Sequence, residues 1–301
     1  MKKIMYLFLL LYSMSATSIS TIKCECSRVL PLGDKQFKTF FESGTYECDS
    51  CGKSLWETLI DSLEGVESVL GFYFSMLGCI LYRKKIELKS GETYVWNVEK
   101  DLKGGELLVL HLHNLETGVE PTIVHGNVPR NPLKNKEISI YGRSTIPGIK
   151  NEIHIRYVYA PKVIKDNLAI MILLEAFKFF YEKDYRHMII SAQTSVELLL
   201  YQFIEEGLIK IGAPKKKTEN MLQKATTYSY QLNPLLKVIS IANKFPILNE
   251  QIVQGLEEMR KDRNNLIHRG KTNTSDITKL KRELISAFLI CKYLELYGKT
   301  L

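Results

Sequence analysis

The sequence predicts an α+β multidomain protein: a small Cys-rich module, an antiparallel β-sandwich-like domain and a C-terminal all-α helical bundle. Three observations predict it. Four of the six cysteines crowd between positions 24 and 51, strand-length apolar runs fill residues 83–160, and helical spacing sets in near Lys162 and persists to the C-terminus. At 301 residues the chain is also longer than a single hydrophobic core usually supports. Its 45% hydrophobic and 25% charged residues are the balance of packed protein and exclude a disordered chain.

Residues 1–20 form a signal-like segment, with Lys2 and Lys3 before the apolar run 4–12 and then small residues at 13–20. The run is too short to span a bilayer, and no transmembrane span is expected. If the segment is a cleaved signal peptide the protein is secreted. If it is retained the protein is cytoplasmic, which is the reading preferred here.

Residues 21–54 hold Cys24-Glu-Cys26 and Cys48-Asp-Ser-Cys51-Gly52. Two close pairs of thiolates suit one tetrahedral structural Zn²⁺, and a C-x-x-C-G turn resembles a zinc-ribbon knuckle. The first pair is C-x-C and departs from the ribbon pattern. In an oxidising compartment the same four residues would form disulfides instead. Cys79 and Cys291 lie in apolar stretches and read as inert core residues.

Residues 55–82 read as a helical connector, with Leu59, Ile60, Leu63, Val66, Val69 and Leu70 at spacings of three and four. Residues 83–160 change period, with strands expected at 85–88, 93–98, 107–113, 137–141 and 152–159. His111 and His113 are two apart on one strand; with no nearby carboxylate or cysteine they read as histidines of a polar strand face.

Residues 161–301 carry helices expected near 164–182, 184–207, 216–230, 249–269 and 275–297, with room for a short one at 231–248. Asp184 and Thr274 or Ser275 are the expected N-caps, and Gly270 stands where a C-cap belongs. This part holds 22 Lys or Arg against 15 Asp or Glu, a difference of +7 within the overall +8. Such an excess attracts polyanions, RNA or an anionic membrane alike.

The chemistry concentrates in Arg263-Asn264-Asn265-Leu266-Ile267-His268, late in a penultimate helix. Asn264 and His268 are four apart and share a face, whereas Arg263 lies about 140° from His268. An imidazole exchanges protons near neutrality and a guanidinium grips phosphate oxygens, so His268 and Arg263 suit metal-free phosphodiester cleavage, with Asn264 orienting either. A purely structural role would instead pair Arg263 with Asp262 or Glu258 and set His268 against the helix dipole.

The R-N-x-x-x-H string, together with Ala192-x4-Glu197-Leu198-Leu199-Leu200 on an earlier helix, resembles the HEPN superfamily of metal-independent ribonucleases. The resemblance covers about 140 residues on a short motif. It implies a homodimer that gathers Arg263, Asn264 and His268 from two chains into one cleft and needs no catalytic cofactor. It also implies RNA as partner and a role in phage defence or as a toxin. Glu197 is then the candidate for holding Arg263 or His268 in place. Lys215, Lys216, Lys217 and Arg269 would extend the RNA-binding surface, and Tyr228 and Tyr230 lie close by in sequence. The alternative is a non-catalytic RNA- or nucleotide-binding or dimerisation module with a ligand-sensing β-domain.

Overall fold

The structure, a computed structural model, describes residues 20–63, 68–114, 119–125, 137–144, 146, 148–224, 226–270 and 274–300. The signal-like segment falls almost entirely on residues 1–19 and lies outside them. The described chain divides into two compact units, one of Tyr73–Asn167 and one that joins the segment up to Phe72 with Leu168–Leu301. The Cys-rich segment is therefore part of the helical unit.

The first unit is built from β3 (Ile80–Lys89), β4 (Thr93–Asn97), β5 (Glu106–Asn114), β6 (Glu120–His125), β7 (Glu137–Arg143) and β8 (Lys150–Ala160). They pair antiparallel as two three-stranded sheets, in the orders β3-β8-β5 and β4-β7-β6. Ile86, Leu88, Ile153, Ile155 and Tyr157 of one sheet and Trp96, Ile138 and Ile140 of the other share one core, as alternation requires of a sandwich. Strand β6 was not anticipated, because Pro121 and the short run around it give a weak period-two signal. The indole of the buried Trp96 donates to the half-buried Asp101 at 2.6 Å, and Asp101 in turn accepts from Lys84 at 2.8 Å, so the indole N–H is satisfied.

In the second unit the hairpin β1 (Ser20–Lys23) and β2 (Val29–Leu32) leads to α1 (Asp34–Ser43) and α2 (Leu55–Ser62). Ser54 caps α2 in a reciprocal capping box with Glu57. Helix α3 (Ser68–Met76) follows, and the short α4 (Val98–Leu102) and α5 (Lys162–Lys165) belong to the sandwich unit. The bundle proper comprises α6 (Leu168–Tyr181), α7 (Tyr185–Lys210), α8 (Lys215–Lys224), α9 (Tyr228–Tyr230), a π-turn at Gln231–Leu235, α10 (Leu236–Ala242), α11 (Glu250–Arg269) and α12 (Ile277–Gly298).

Two helix expectations change. The helix expected at 216–230 ends at Lys224, and the chain then passes through α9 into a π-turn around Pro234, whose ring cannot donate the i−4 hydrogen bond. The last helix is capped by Asp276, which accepts from Lys279 N–H, and not by Thr274 or Ser275. Asp184 does cap α7, and Gly270 ends α11 in the left-handed conformation with φ 63°.

Helix α12 is the spine of this unit. It packs on α1, α2, α6, α7 and α11, and almost its whole length is buried. Phe37 meets Phe288 edge-on at 6.0 Å, and Phe41 meets Tyr293 at 5.3 Å. Each such pair adds about 0.5–1.5 kcal/mol beyond the area it buries. Lys292 lies over the Phe37 ring, and Lys299, the C-cap of α12, ion-pairs with Asp34 of α1. These contacts tie the Cys-rich segment to the helices.

Candidate functional site

Two constellations carry chemistry. The first is the cysteine group. Cys24 sits where β1 turns, with its N–H bonded to Arg28 O and Ser27 in the left-handed region, while Cys48 accepts the Gly52 N–H on its carbonyl. These two turns bring Cys24 Sγ to 3.6 Å from Cys51 Sγ and Cys26 Sγ to 3.6 Å from Cys48 Sγ, with all four sulfurs within 4.8 Å of one another. All six described cysteines are free thiols. A tetrahedron of thiolates at about 2.3 Å from a metal has sulfur–sulfur edges of about 3.8 Å, so the donor set fits one metal ion. Among the described residues this is the one cluster with that capacity, and His111 forms no second one. The side chain of His113 lies outside the described residues.

Electrostatics favour a partly ionised cluster. The Ser50 amide, then that of Cys51 and the neighbouring thiols, lower the Cys48 pKa to about 7. The Lys53 amide favours the Cys51 thiolate, but three adjoining sulfurs outweigh it and push that pKa up to about 12. One thiol ionising at the expense of its neighbours is what a cation would relieve. Lys53 ties the turn down by pairing with Asp61 of α2 and with Glu25, the latter at 2.5 Å. By contrast, burial raises both Cys79 and Cys291 to about 12, which keeps them protonated within the core.

The second constellation lies on α11 and α7. Helical spacing places Glu257, Arg260, Asn264 and His268 along one stripe of α11. Arg263 is half-buried, and its Nη1 donates to Asn264 Oδ1 at 3.2 Å, while its Nε is enclosed and has no partner among the described residues. His268 is exposed in the last turn, as are Arg269 and, at the start of α8, Lys215, Lys216 and Lys217. Lys215 leans towards Glu219 at 3.6 Å.

Of the structural alternative, the Arg263 pairings are not formed, whereas His268 does stand in the last turn, at the negative end of the helix. Asp262 is taken by Lys279 of α12 at 2.6 Å, and Glu258 accepts from Gln254 at 3.2 Å. Glu197 differs from its expected place: its Oε1 accepts from Gln193 Nε2 at 3.0 Å, one turn away on α7, and among the described residues it bonds to neither Arg263 nor His268. A carboxylate four residues from an amide on the same helix is satisfied locally.

Sequence reasoning missed the residues around Glu197. Gln193 is fully buried, and Tyr228 has its hydroxyl enclosed beside Gln193, with Glu257, Glu197 and Arg260 in its field; burial raises its pKa. Glu257 accepts from Arg260 at 2.9 Å and from Asn233 at 3.2 Å. The available signal was Gln193 and Glu197 at i, i+4 within an apolar helix. Tyr228 joins them where the π-turn that follows α9 packs on α7. Tyr230, two residues on, is exposed.

Beneath the motif lies a buried acid. Glu283 of α12 is fully buried, 3.4 Å from Lys279, and burial followed by the nearby Asp262 raises its pKa to about 8. No helix among the described residues is long and apolar enough to cross a membrane. No protein-family model, no curated protein and no solved structure matches this chain.

Proposed function

We propose that the helical unit is a metal-independent endoribonuclease of the HEPN type that acts as a homodimer, in phage defence or as a toxin, in the cytoplasm. One observation carries the proposal. Arg263 is not paired with Asp262 or Glu258, the carboxylates that a structural role would give it, and His268 stands exposed at the end of α11.

In this reading neutral His268 takes the proton of a ribose 2′-hydroxyl, and the oxygen attacks the adjacent phosphorus. The bond from phosphorus to the 5′-oxygen breaks, leaving a 2′,3′-cyclic phosphate. The departing oxygen takes a proton from the imidazolium of His268 of a second copy. Arg263 stabilises the charge that builds on the non-bridging oxygens, and Asn264 fixes the guanidinium through the 3.2 Å bond. The basic residues Lys215, Lys216, Lys217 and Arg269 contact the RNA backbone. Glu197 with Gln193 and Tyr228 forms a supporting polar layer.

The four cysteines hold Zn²⁺ in a structural role in this proposal. Four thiolates leave no open position, so the metal supplies a cross-link between the two turns and no reaction step.

The test is single-turnover cleavage of a mixed-sequence RNA by the full chain and by His268→Ala and Arg263→Ala. A loss of about 100-fold or more in each variant is expected, the scale of general acid–base and oxyanion terms. If the full chain binds RNA but neither parent nor variants cut it, the unit is a binding module.

A further inference from the structure

The sandwich unit carries an arrangement of charge that its own stability does not require. In the sheet β3-β8-β5, Arg83 is the direct cross-strand partner of Arg156, and Arg156 is the partner of His111 on its other side. The next rung on the same face holds Lys85 opposite His154, with His113 at the corresponding position of β5. The first rung thus sets two guanidinium groups side by side, and beyond the second rung the same face turns acidic, with Glu87 opposite Glu152. Like charges placed directly opposite weaken a sheet; the rungs Glu87–Glu152 and Lys89–Lys150 are offset by the diagonal pairs Lys85–Glu152 and Lys150–Glu87, whereas Arg83 opposite Arg156 has no such offset among the described residues.

The compensation is incomplete. Arg83, Lys85, His111 and Arg156 are all exposed. Glu152 accepts from Lys85 at 2.9 Å and from His154 at 2.5 Å, which serves the second rung. Arg83 leans onto the His154 ring, whose Nε2 is bonded to Glu152, and neither Arg83 nor Arg156 has an ion-pair partner among the described residues. His154 is buried to 1% exposure beneath these groups, so the rung has a fixed floor.

We infer that this face of the sheet binds the phosphodiester backbone of a single nucleic-acid strand. Three strands about 4.8 Å apart and two rungs about 7 Å apart give a basic field that spans two or three consecutive phosphates. Guanidinium forks grip phosphate oxygens in pairs. A membrane is the poorer match. The apolar rung beside the basic ones, Leu81 opposite Val158, exposes one large side chain, Leu81, where interfacial binding calls for a continuous apolar face.

The inference stands on the strand register and not on the ribonuclease reading. It is tested with a 2′-O-methyl RNA 12-mer, which cannot be cut by 2′-hydroxyl attack. Binding to the full chain is followed by fluorescence anisotropy from 50 to 300 mM salt, for the parent, Arg156→Thr and Arg156→Glu. Arg156→Thr should weaken binding about tenfold and lower the salt slope by about one, and Arg156→Glu should weaken it further. Both should melt at or above the parent temperature, because the opposition with Arg83 is relieved. Opposite signs for binding and stability identify a binding residue. Affinities within twofold of the parent, or no binding by the parent, overturn the inference. So does binding lost together with a lowered melting temperature in both variants. Parent binding to phosphatidylserine vesicles that is lost in the variants while RNA binding persists assigns the face to a membrane instead.

Discussion

Lys279 of α12 donates to Asp262 of α11 at 2.6 Å, and Asp262 stands immediately before Arg263. The pair occupies the carboxylate that would otherwise neutralise Arg263. It also joins the two helices that carry the motif and the buried acid. Asp262→Ala should destabilise the chain by about 2 kcal/mol in urea unfolding, by stranding a half-buried ammonium. RNA cleavage should stay within threefold of the parent. A selective loss of cleavage at unchanged stability would show that Asp262 acts on Arg263 directly.

Glu283 gives a pH dependence whose sign is fixed. Burial raises its pKa in the folded state to about 8, above the ordinary glutamate value of 4.5. The folded state therefore holds a proton that the unfolded chain releases. Its stabilising contribution is complete below about pH 4.5 and is lost as pH rises through 8. Glu283→Gln should remove that slope, leaving the variant more stable than the parent at pH 8.5. Urea midpoints at pH 5 and pH 8.5 measure this, and an unchanged slope would mean that the acid is not held protonated.

Metal removal should be felt in the helices. The cysteine turns are continuous with α1 and α2, whose aromatic residues pack on α12. Purified protein should contain one zinc per chain, and a strong chelator should lower the melting temperature of the helical unit. Cys24→Ser should do the same. Unchanged melting after complete loss of metal would detach the cysteines from the fold.

Gly255 permits a close approach of α11 to α12. A β-carbon there would come within 2.0 Å of Ser286 Oγ and 3.0 Å of its Cβ. The hydroxyl of Ser286 meanwhile donates to Arg282 O at 2.7 Å, which holds it in place. Gly255→Ala gains helix propensity but forces the helices apart, and a net loss of about 1–3 kcal/mol is expected from urea unfolding. Adding Ser286→Gly should restore most of it.

The parts legible in the sequence were those with a local cause. Helical spacing and caps located α7 and α11, because Asp184 and Gly270 act on their own turns. The cysteine pairs announced a four-sulfur site, because each pair is made by one tight turn. What could not be read depends on distant partners. Nothing near Asp262 indicates that Lys279 will claim it, and the place of Tyr228 depends on the π-turn after it. The basic rungs were hidden for the same reason: Arg83 and Arg156 are 73 residues apart, and only the register of β3 against β8 sets them side by side. The partition of the chain also escaped composition, since the Phe37 and Phe41 contacts that join the Cys-rich segment to α12 link residues about 250 positions apart.

The most direct measurement of the central claim is the chemistry of the ends. Purified full chain is incubated in EDTA with an RNA substrate and with the same strand carrying 2′-deoxy residues at the mapped cleavage positions. Attack by the 2′-hydroxyl gives 2′,3′-cyclic phosphate and 5′-hydroxyl ends from the RNA, no cutting at the deoxy positions, and loss of activity in His268→Ala. Cleavage that persists at deoxy positions, or that survives in His268→Ala, would contradict it.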